Sequence, residues 1–336
     1  MKRRTTLAVA LMLLTAMAAF AQAKKPQTLT VYAAMFEDHA SLACKAFEKA
    51  TGIKTSMIHL SSGEIYARVR AEKNNPQAGI WYGGAADSYI AAKAEGLLLQ
   101  YNSSVGMTQI PKNFRDPEGY WYGIYTGYLG FICNKQVLKD IGVDVPKSWA
   151  DLLNPKLKGQ IAVSNPASSS TAYNVVATLT QLWNEEKAFD YLNKLDGLVK
   201  QYPKSGGGPA QMACMGEIGV AIGMLHDGVK YQQQGYKDLA LSAPSEGTGY
   251  EIGAVGIIKG SKEEEAAKMF VDWCLTADAQ EIGQTVGSFQ FLTNPDANPP
   301  KEVSFLKGTK TINYDLAWAG ANRNRLVEKW HVMTGK

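Results

Sequence analysis

The sequence predicts an α/β protein built as two lobes, and three observations carry that expectation. Strand-like and helix-like segments alternate along nearly the whole chain. About 313 residues follow an N-terminal leader, more than one hydrophobic core comfortably organises. Two long extended runs, 123–135 and 249–261, are suited to pass from one lobe to the other and back.

The elements follow in order. "TLTVYAA" (28–34) reads as a strand, and "EDHASLACKAFEKATG" (37–52) as an amphipathic helix closed by Gly52. A strand at 53–60, a helix at 63–75, a strand at 78–84 and a helix at 87–98 continue the alternation. This βαβαβ order implies a parallel sheet covered by helices. After the first crossing run come a strand at 159–165, helices at 169–184, 185–199 and 209–216, a strand at 217–224, a helix at 226–234 and a strand at 239–244. Helices at 262–276 and 278–286 follow the return run, and a tail helix at 314–332 could pack on either lobe. The expected division is 24–126 with 251–300 for the first lobe and 127–250 for the second. Residues 301–336 form a C-terminal segment assigned to neither.

Lys2, Arg3 and Arg4 precede an apolar run from Leu7 to Phe20, and Ala21-Gln22-Ala23 offers a small-x-small cleavage site. The run is too short to span a bilayer, so residues 1–23 read as a secretory signal peptide and the mature product as periplasmic. The chain carries a formal +4; loss of the leader leaves 32 Lys+Arg against 31 Asp+Glu. Such a balance argues against nucleic acid as a partner, which needs a clustered basic excess. Cys44, Cys133, Cys214 and Cys274 are widely spaced in apolar segments without a CxxC pair, and read as small buried hydrophobes.

Four Gly- or Ser-rich turns lie between strands and helices: "LSSGE" (60–64), "YGGAADS" (82–88), "PASSSTAY" (166–173) and "KSGGGPAQM" (204–212). One such turn is ordinary. Four at strand ends facing one cleft can aim backbone N–H groups, hydroxyls and helix N-termini at a shared anion. They nominate Ser61, Ser62, Gly84, Ser168, Ser169, Ser170, Thr171, Ser205, Gly207 and Gly208. None of the turns is a P-loop, because no Gly-Lys-Ser/Thr ends any of them. Opposite chemistry lies in "LHDGVKYQQQ" and "EGTGYEIG": His226 and Asp227 follow a strand, and Glu251 lies on the return run. These groups would accept from neutral hydroxyls, as on a sugar, although Asp227 serves equally well as an N-cap. Among the aromatics, Trp81, Tyr82, Tyr125 and Tyr173 could stack on a ring or fill the core.

Other chemistries lack their parts. His39, His59, His226 and His331 form no metal-ligand spacing, no Tyr-Tyr pair exists for a ferric site, and no GxSxG nucleophile elbow occurs. Neither a catalytic residue nor a metal or cofactor is expected. A phosphatase stays open in principle, since Asp, His and an anion cradle are among its parts.

The segments 30–98, 147–174 and 216–261, with "NPASSSTAYN" and the "HDG…GYEIG" combination, resemble the extracellular solute-binding proteins of the ferric-ion-binding type that serve ABC importers. The resemblance covers nearly the whole mature chain. It implies a type II periplasmic-binding fold, two α/β lobes on a two-strand hinge with the ligand in the cleft between them. It further implies a monomeric cargo receptor working with an inner-membrane ABC permease. Where iron binders of this family carry tyrosines, this sequence has "SGGGPA" (205–210), and the branch it is most similar to binds small phosphorylated solutes such as hexose phosphates. By that resemblance His226, Asp227 and Glu251 match hydroxyl-binding positions. Ser62, Ser169, Ser170, Thr171, Gly207 and Gly208 match a phosphate cradle more loosely. A ferric-ion receptor is the alternative.

Overall fold

A computed structural model describes residues 28–336; the expected signal peptide lies outside them. The chain begins with β1 (Thr28–Ala33), α1 (Glu37–Thr51), β2 (Lys54–His59), α2 (Ser62–Ala71), β3 (Ile80–Ala85) and α3 (Ala86–Ala94). Gly52 ends α1 in the left-handed conformation, φ 79°, as its place after an amphipathic run predicts. Strand β1 pairs in parallel with both β2 and β3. That is the sheet expected from βαβαβ order.

A two-residue strand, β4 (Leu98–Leu99), and a short helix, α4 (Ser104–Gln109), lead to β5 (Tyr122–Asn134). This long strand is the crossing. Its first part pairs with two later strands in the first sheet, and residues 129–134 pair in the second sheet. The second half comprises α5 (Lys135–Asp140), β6 (Ile161–Val163), α6 (Ser170–Leu182), α7 (Glu185–Asp196), β7 (Val199–Gln201), α8 (Gly208–Cys214), β8 (Val220–Met224), α9 (Leu225–Gln233) and β9 (Leu239–Ser242). The chain then returns through 243–249 into β10 (Tyr250–Ile258), antiparallel to β5 and β3. Next come α10 (Glu264–Cys274), α11 (Ala277–Glu281), β11 (Phe291–Leu292) and α12 (Leu316–Thr334).

The strands run in the order β2-β1-β3-β10-β5-β8-β6-β7, two mixed sheets that share β5. Each sheet is buried by helices. Val31, Ile80, Val255 and Ile257 pack with Phe47 of α1 and Phe270 of α10 in one half. Phe131, Ile161, Val220 and Ile222 pack with Tyr173 and Leu192 in the other. The four cysteines are free and buried, as small hydrophobes would be. Short 3₁₀ turns and the minor strands β4, β7 and β11 leave no periodic signature and were not expected. They are too short for one.

The tail helix α12 joins both halves. Arg323, fully buried, lies 3.3 Å from Asp87 at the start of α3 and 4.8 Å over the Tyr173 ring of α6. The Tyr173 hydroxyl donates to the Ala319 carbonyl. Asp87 is pushed up to about 6 by burial, with Arg323 pulling it back down.

Across the cleft the halves touch through backbone. The Gly63 N–H of α2 donates to the Ser168 carbonyl at 2.8 Å, and the Ser88 and Ser170 hydroxyls meet at 2.8 Å. A Cβ on Gly63 would stand 2.1 Å from the Ala167 carbonyl oxygen, and backbone cannot swing aside as a side-chain tip can. Gly63→Ala is therefore expected to fold with a melting temperature close to the parent's while holding the halves apart. Small-angle scattering in the presence of saturating ligand checks this: the variant keeps the larger radius of gyration of the ligand-free protein. A variant that contracts like the parent refutes it.

Candidate functional site

Between the halves lies a cavity of about 280 Å³. Its wall is assembled from chain segments that leave strands: Ala34 to Glu37 after β1, His59 to Ser62 after β2, Gly84 at the end of β3, and His226 and Asp227 after β8. Ligand sites in open α/β sheets sit at the carboxyl ends of strands because helix N-termini and freed backbone N–H groups collect there.

The loop side is rich in donors. Ser169 is the N-cap of α6, its hydroxyl accepting from the Ala172 N–H at 3.3 Å, which leaves its proton for another acceptor. The N–H groups of Ser170 and Thr171 in the first turn of α6 have no acceptor among the described residues. Thr171, Ser205, Gly206 and Gly207 line the same wall, with the exposed Lys204 beside them. The first turn of α2 is already occupied in part. The Glu64 carboxylate accepts from both the Ser61 N–H at 3.1 Å and the Ser61 hydroxyl at 2.6 Å. Those Ser61 contacts, with Lys204 and His59 nearby, hold Glu64 below the usual carboxylate range.

The same cavity also carries acceptors. His226, Asp227 and Glu251 are each about 95 % buried, and His226 Nε2 lies 3.4 Å from Asp227 Oδ1. The His226 Nδ1 atom is buried without a partner among the described residues. Burial pushes His226 down to about 3, so the ring is neutral. Burial pushes Asp227 up to about 7 against the pull of Lys230. Glu251 rises to about 8, first from burial and then from the charges of Asp227 and Asp87. At neutral pH Glu251 is therefore largely protonated, which softens the repulsion a negatively charged guest would meet.

Of the residues the sequence nominates, Ser61, Ser62, Gly84, Ser169, Thr171, Ser205, Gly207, His226, Asp227 and Glu251 line this cavity. Ser168, Ser170 and Gly208 do not. The Ser168 hydroxyl donates to the Lys204 carbonyl at 2.9 Å, and that of Ser170 pairs with Ser88. The Gly208 N–H donates to the Ser205 carbonyl at 3.1 Å, turning its backbone inward. Gly84 is present on the wall, but its N–H already donates to the Tyr125 hydroxyl at 3.2 Å. Phe36, Glu37, Lys204, Gly206 and Gln290 also line the cavity and were not nominated. Lys204 and Gly206 stand inside a quoted turn, and Phe36 follows β1, so the strand-end rule reaches them. Gln290 sits in a stretch without periodicity and gives no signal.

No group of three or more His, Cys, Asp or Glu side chains among the described residues is arranged to hold a metal ion.

A hinged α/β pair with a polar cavity at its strand ends defines a class, and comparison with known proteins supplies the family. The sequence profile of the bacterial extracellular solute-binding proteins matches residues 85–317, and the chain belongs to that family. The structure is similar to that of the periplasmic binding protein AfuA from Actinobacillus pleuropneumoniae with exogenous fructose-6-phosphate bound. The two are 41 % identical with a TM-score of 0.89, over 93 % of this chain and 99 % of that one. A putative 2-aminoethylphosphonate-binding periplasmic protein of Salmonella typhimurium is 25 % identical over 300 residues, 86 % of each chain. The ferric binding protein from Campylobacter jejuni, 21 % identical with a TM-score of 0.77 over 91 % of this chain and 99 % of that one, shares the fold.

The raised acids fix a pH dependence. A carboxyl whose folded pKa lies above its unfolded value binds more protons folded than unfolded. Its contribution to stability is full below about pH 4 and is lost as pH rises through the folded value, here about 7 to 8. Glu251→Gln removes that loss. In the ligand-free state it is expected to melt above the parent at pH 8.5, with the gap closing towards pH 5. Parallel melting curves at both pH values would contradict the assignment.

Proposed function

We propose that this protein is the periplasmic receptor of an ABC importer, capturing a phosphorylated small molecule of hexose-phosphate type and delivering it to an inner-membrane permease. One observation carries the reading: a cavity between two hinged halves is lined both by N–H and hydroxyl donors and by the buried acceptors His226, Asp227 and Glu251. A phosphate monoester bearing hydroxyls matches both sets at once. A volume of about 280 Å³ lies just below the range usual for ligand pockets, about 300–1,000 Å³, and suits a solute of monosaccharide size.

In this reading the phosphate takes the Ser169, Thr171 and 205–207 donors with the α6 N-terminus and Lys204. The hydroxyls donate to Asp227, Glu251 and the neutral His226. Each charge-assisted hydrogen bond contributes about 1.5–3 kcal/mol. Because the cavity is lined from both halves, by Ser61, Ser62 and Gly84 of the first and by Ser169, Thr171 and the 204–207 loop of the second, the ligand binds the closed arrangement better than the open one and shifts the population towards it. The receptor acts as a monomer, and the solute leaves chemically unchanged. AfuA, at 41 % identity, was solved with a hexose phosphate, which supports this choice of solute. Tyr125 is the one tyrosine on the cavity wall among the described residues, so a tyrosinate iron site has little to be built from.

Isothermal titration against glucose 6-phosphate, fructose 6-phosphate, 2-aminoethylphosphonate, inorganic phosphate and ferric citrate tests the proposal. Tight binding of a hexose phosphate is expected, with a raised melting temperature on saturation. Asp227→Ala is expected to weaken that binding tenfold to about a hundredfold without lowering the ligand-free melting temperature. Binding of ferric citrate alone, or no hexose-phosphate binding by the parent, overturns the reading.

A further inference from the structure

The cavity wall includes one amide side chain whose orientation is fixed from behind. Strand β11 lies along β5 on the side opposite β10: Phe291 and Ile252 both pair with Thr126. Continuing that register places Gln290 beside Gly127, whose other neighbour is Glu251. Cross-strand neighbours share a face of the sheet. Over that face lies His226, since a Cβ on Gly127 would stand 2.4 Å from its Nδ1 atom. Glu251, Gln290 and His226 therefore converge on one end of the cavity, and all three line it.

Behind Gln290 runs a chain of buried hydrogen bonds. The Ser288 hydroxyl donates to Gln290 Oε1 at 3.0 Å, and His39 Nδ1 lies 3.1 Å from the same hydroxyl. A hydroxyl has one proton. Given to Gln290, it leaves Ser288 to accept from Nδ1–H of His39. The His39 Nε2 atom is then an unpartnered buried acceptor rather than an unpartnered N–H, which is the less costly state. Burial holds the ring neutral, pushed down to about 4. With its oxygen committed to Ser288, Gln290 has only its NH₂ left, and that group has no acceptor among the described residues.

A solute hydroxyl that donates its proton to Glu251 keeps two lone pairs that need a donor, and an amide NH₂ supplies one. An ammonium group has three protons and no lone pair, so the same NH₂ faces it with nothing to bind. Resting on the reading of this cavity as a phosphate site, we infer that Gln290 is a specificity-determining donor. With Ser288 and His39 as positioning residues, it selects a hydroxyl over an ammonium at the end of the solute remote from the phosphate.

The test is the ratio of affinities for glucose 6-phosphate and 2-aminoethylphosphonate, measured by titration for the parent, Gln290→Glu and Ser288→Ala. Gln290→Glu is isosteric and puts an oxygen where the nitrogen stood. It is expected to shift the ratio at least tenfold towards 2-aminoethylphosphonate. Ser288→Ala removes only the hydroxyl that fixes the amide, away from the cavity, and is expected to shift it less and in the same direction. A merely structural role would weaken both ligands alike and lower the ligand-free melting temperature. An unchanged ratio in both variants, or equal losses for both ligands, overturns the inference while leaving the receptor reading intact. A parent that binds no hexose phosphate removes the receptor reading, and this inference with it.

Discussion

Acceptors buried at the wall of a cavity set the demand around which this molecule is organised. His226, Asp227 and Glu251 are about 95 % buried, and a buried polar group without a partner costs roughly 1–3 kcal/mol. The protein meets part of that cost by protonation, lifting Asp227 and Glu251 well above ordinary carboxylates. The His226 Nδ1 atom has no partner among the described residues. A hydroxyl donated to it would remove that cost, a source of binding energy that a merely hydrophobic pocket could not supply to a polar solute.

The sheet arrangement explains how such a cavity can exist in a foldable protein. Each half carries its own core, built on either side of β5, so neither depends on filling the space between them. The same strand passes from one sheet to the other and gives both halves a common, rigid reference. Across the gap the contacts at Gly63, Ser88 and Ser170 are polar, and the Lys230 ammonium lies 3.7 Å over the Phe36 ring.

Much of this was legible in the sequence, for identifiable reasons. Periodicity marked the long helices and most of the longer strands, because amphipathic spacing is a direct imprint of burial. Glycine and serine at strand ends marked the cavity loops. Which hydroxyls face the cavity was not legible. Ser168, Ser169, Ser170 and Thr171 are neighbours of similar chemistry, and only the three-dimensional partners, Lys204 for one and Ser88 for another, divide them. Gln290 was invisible because its importance comes from its neighbours across β5 and from Ser288 behind it. The antiparallel placement of β10 was equally hidden. A strand's direction depends on the path of the connection before it, and 243–249 has no pattern to read.

The link between Asp87 and Arg323 spans 236 residues. An acid near the start of the chain is thus neutralised by a guanidinium supplied almost at its end. While the polypeptide emerges from the ribosome, Asp87 has no counter-ion and Tyr173 no cation against its ring. The surroundings of Asp87 and Tyr173 are therefore complete only once the α12 segment is in place.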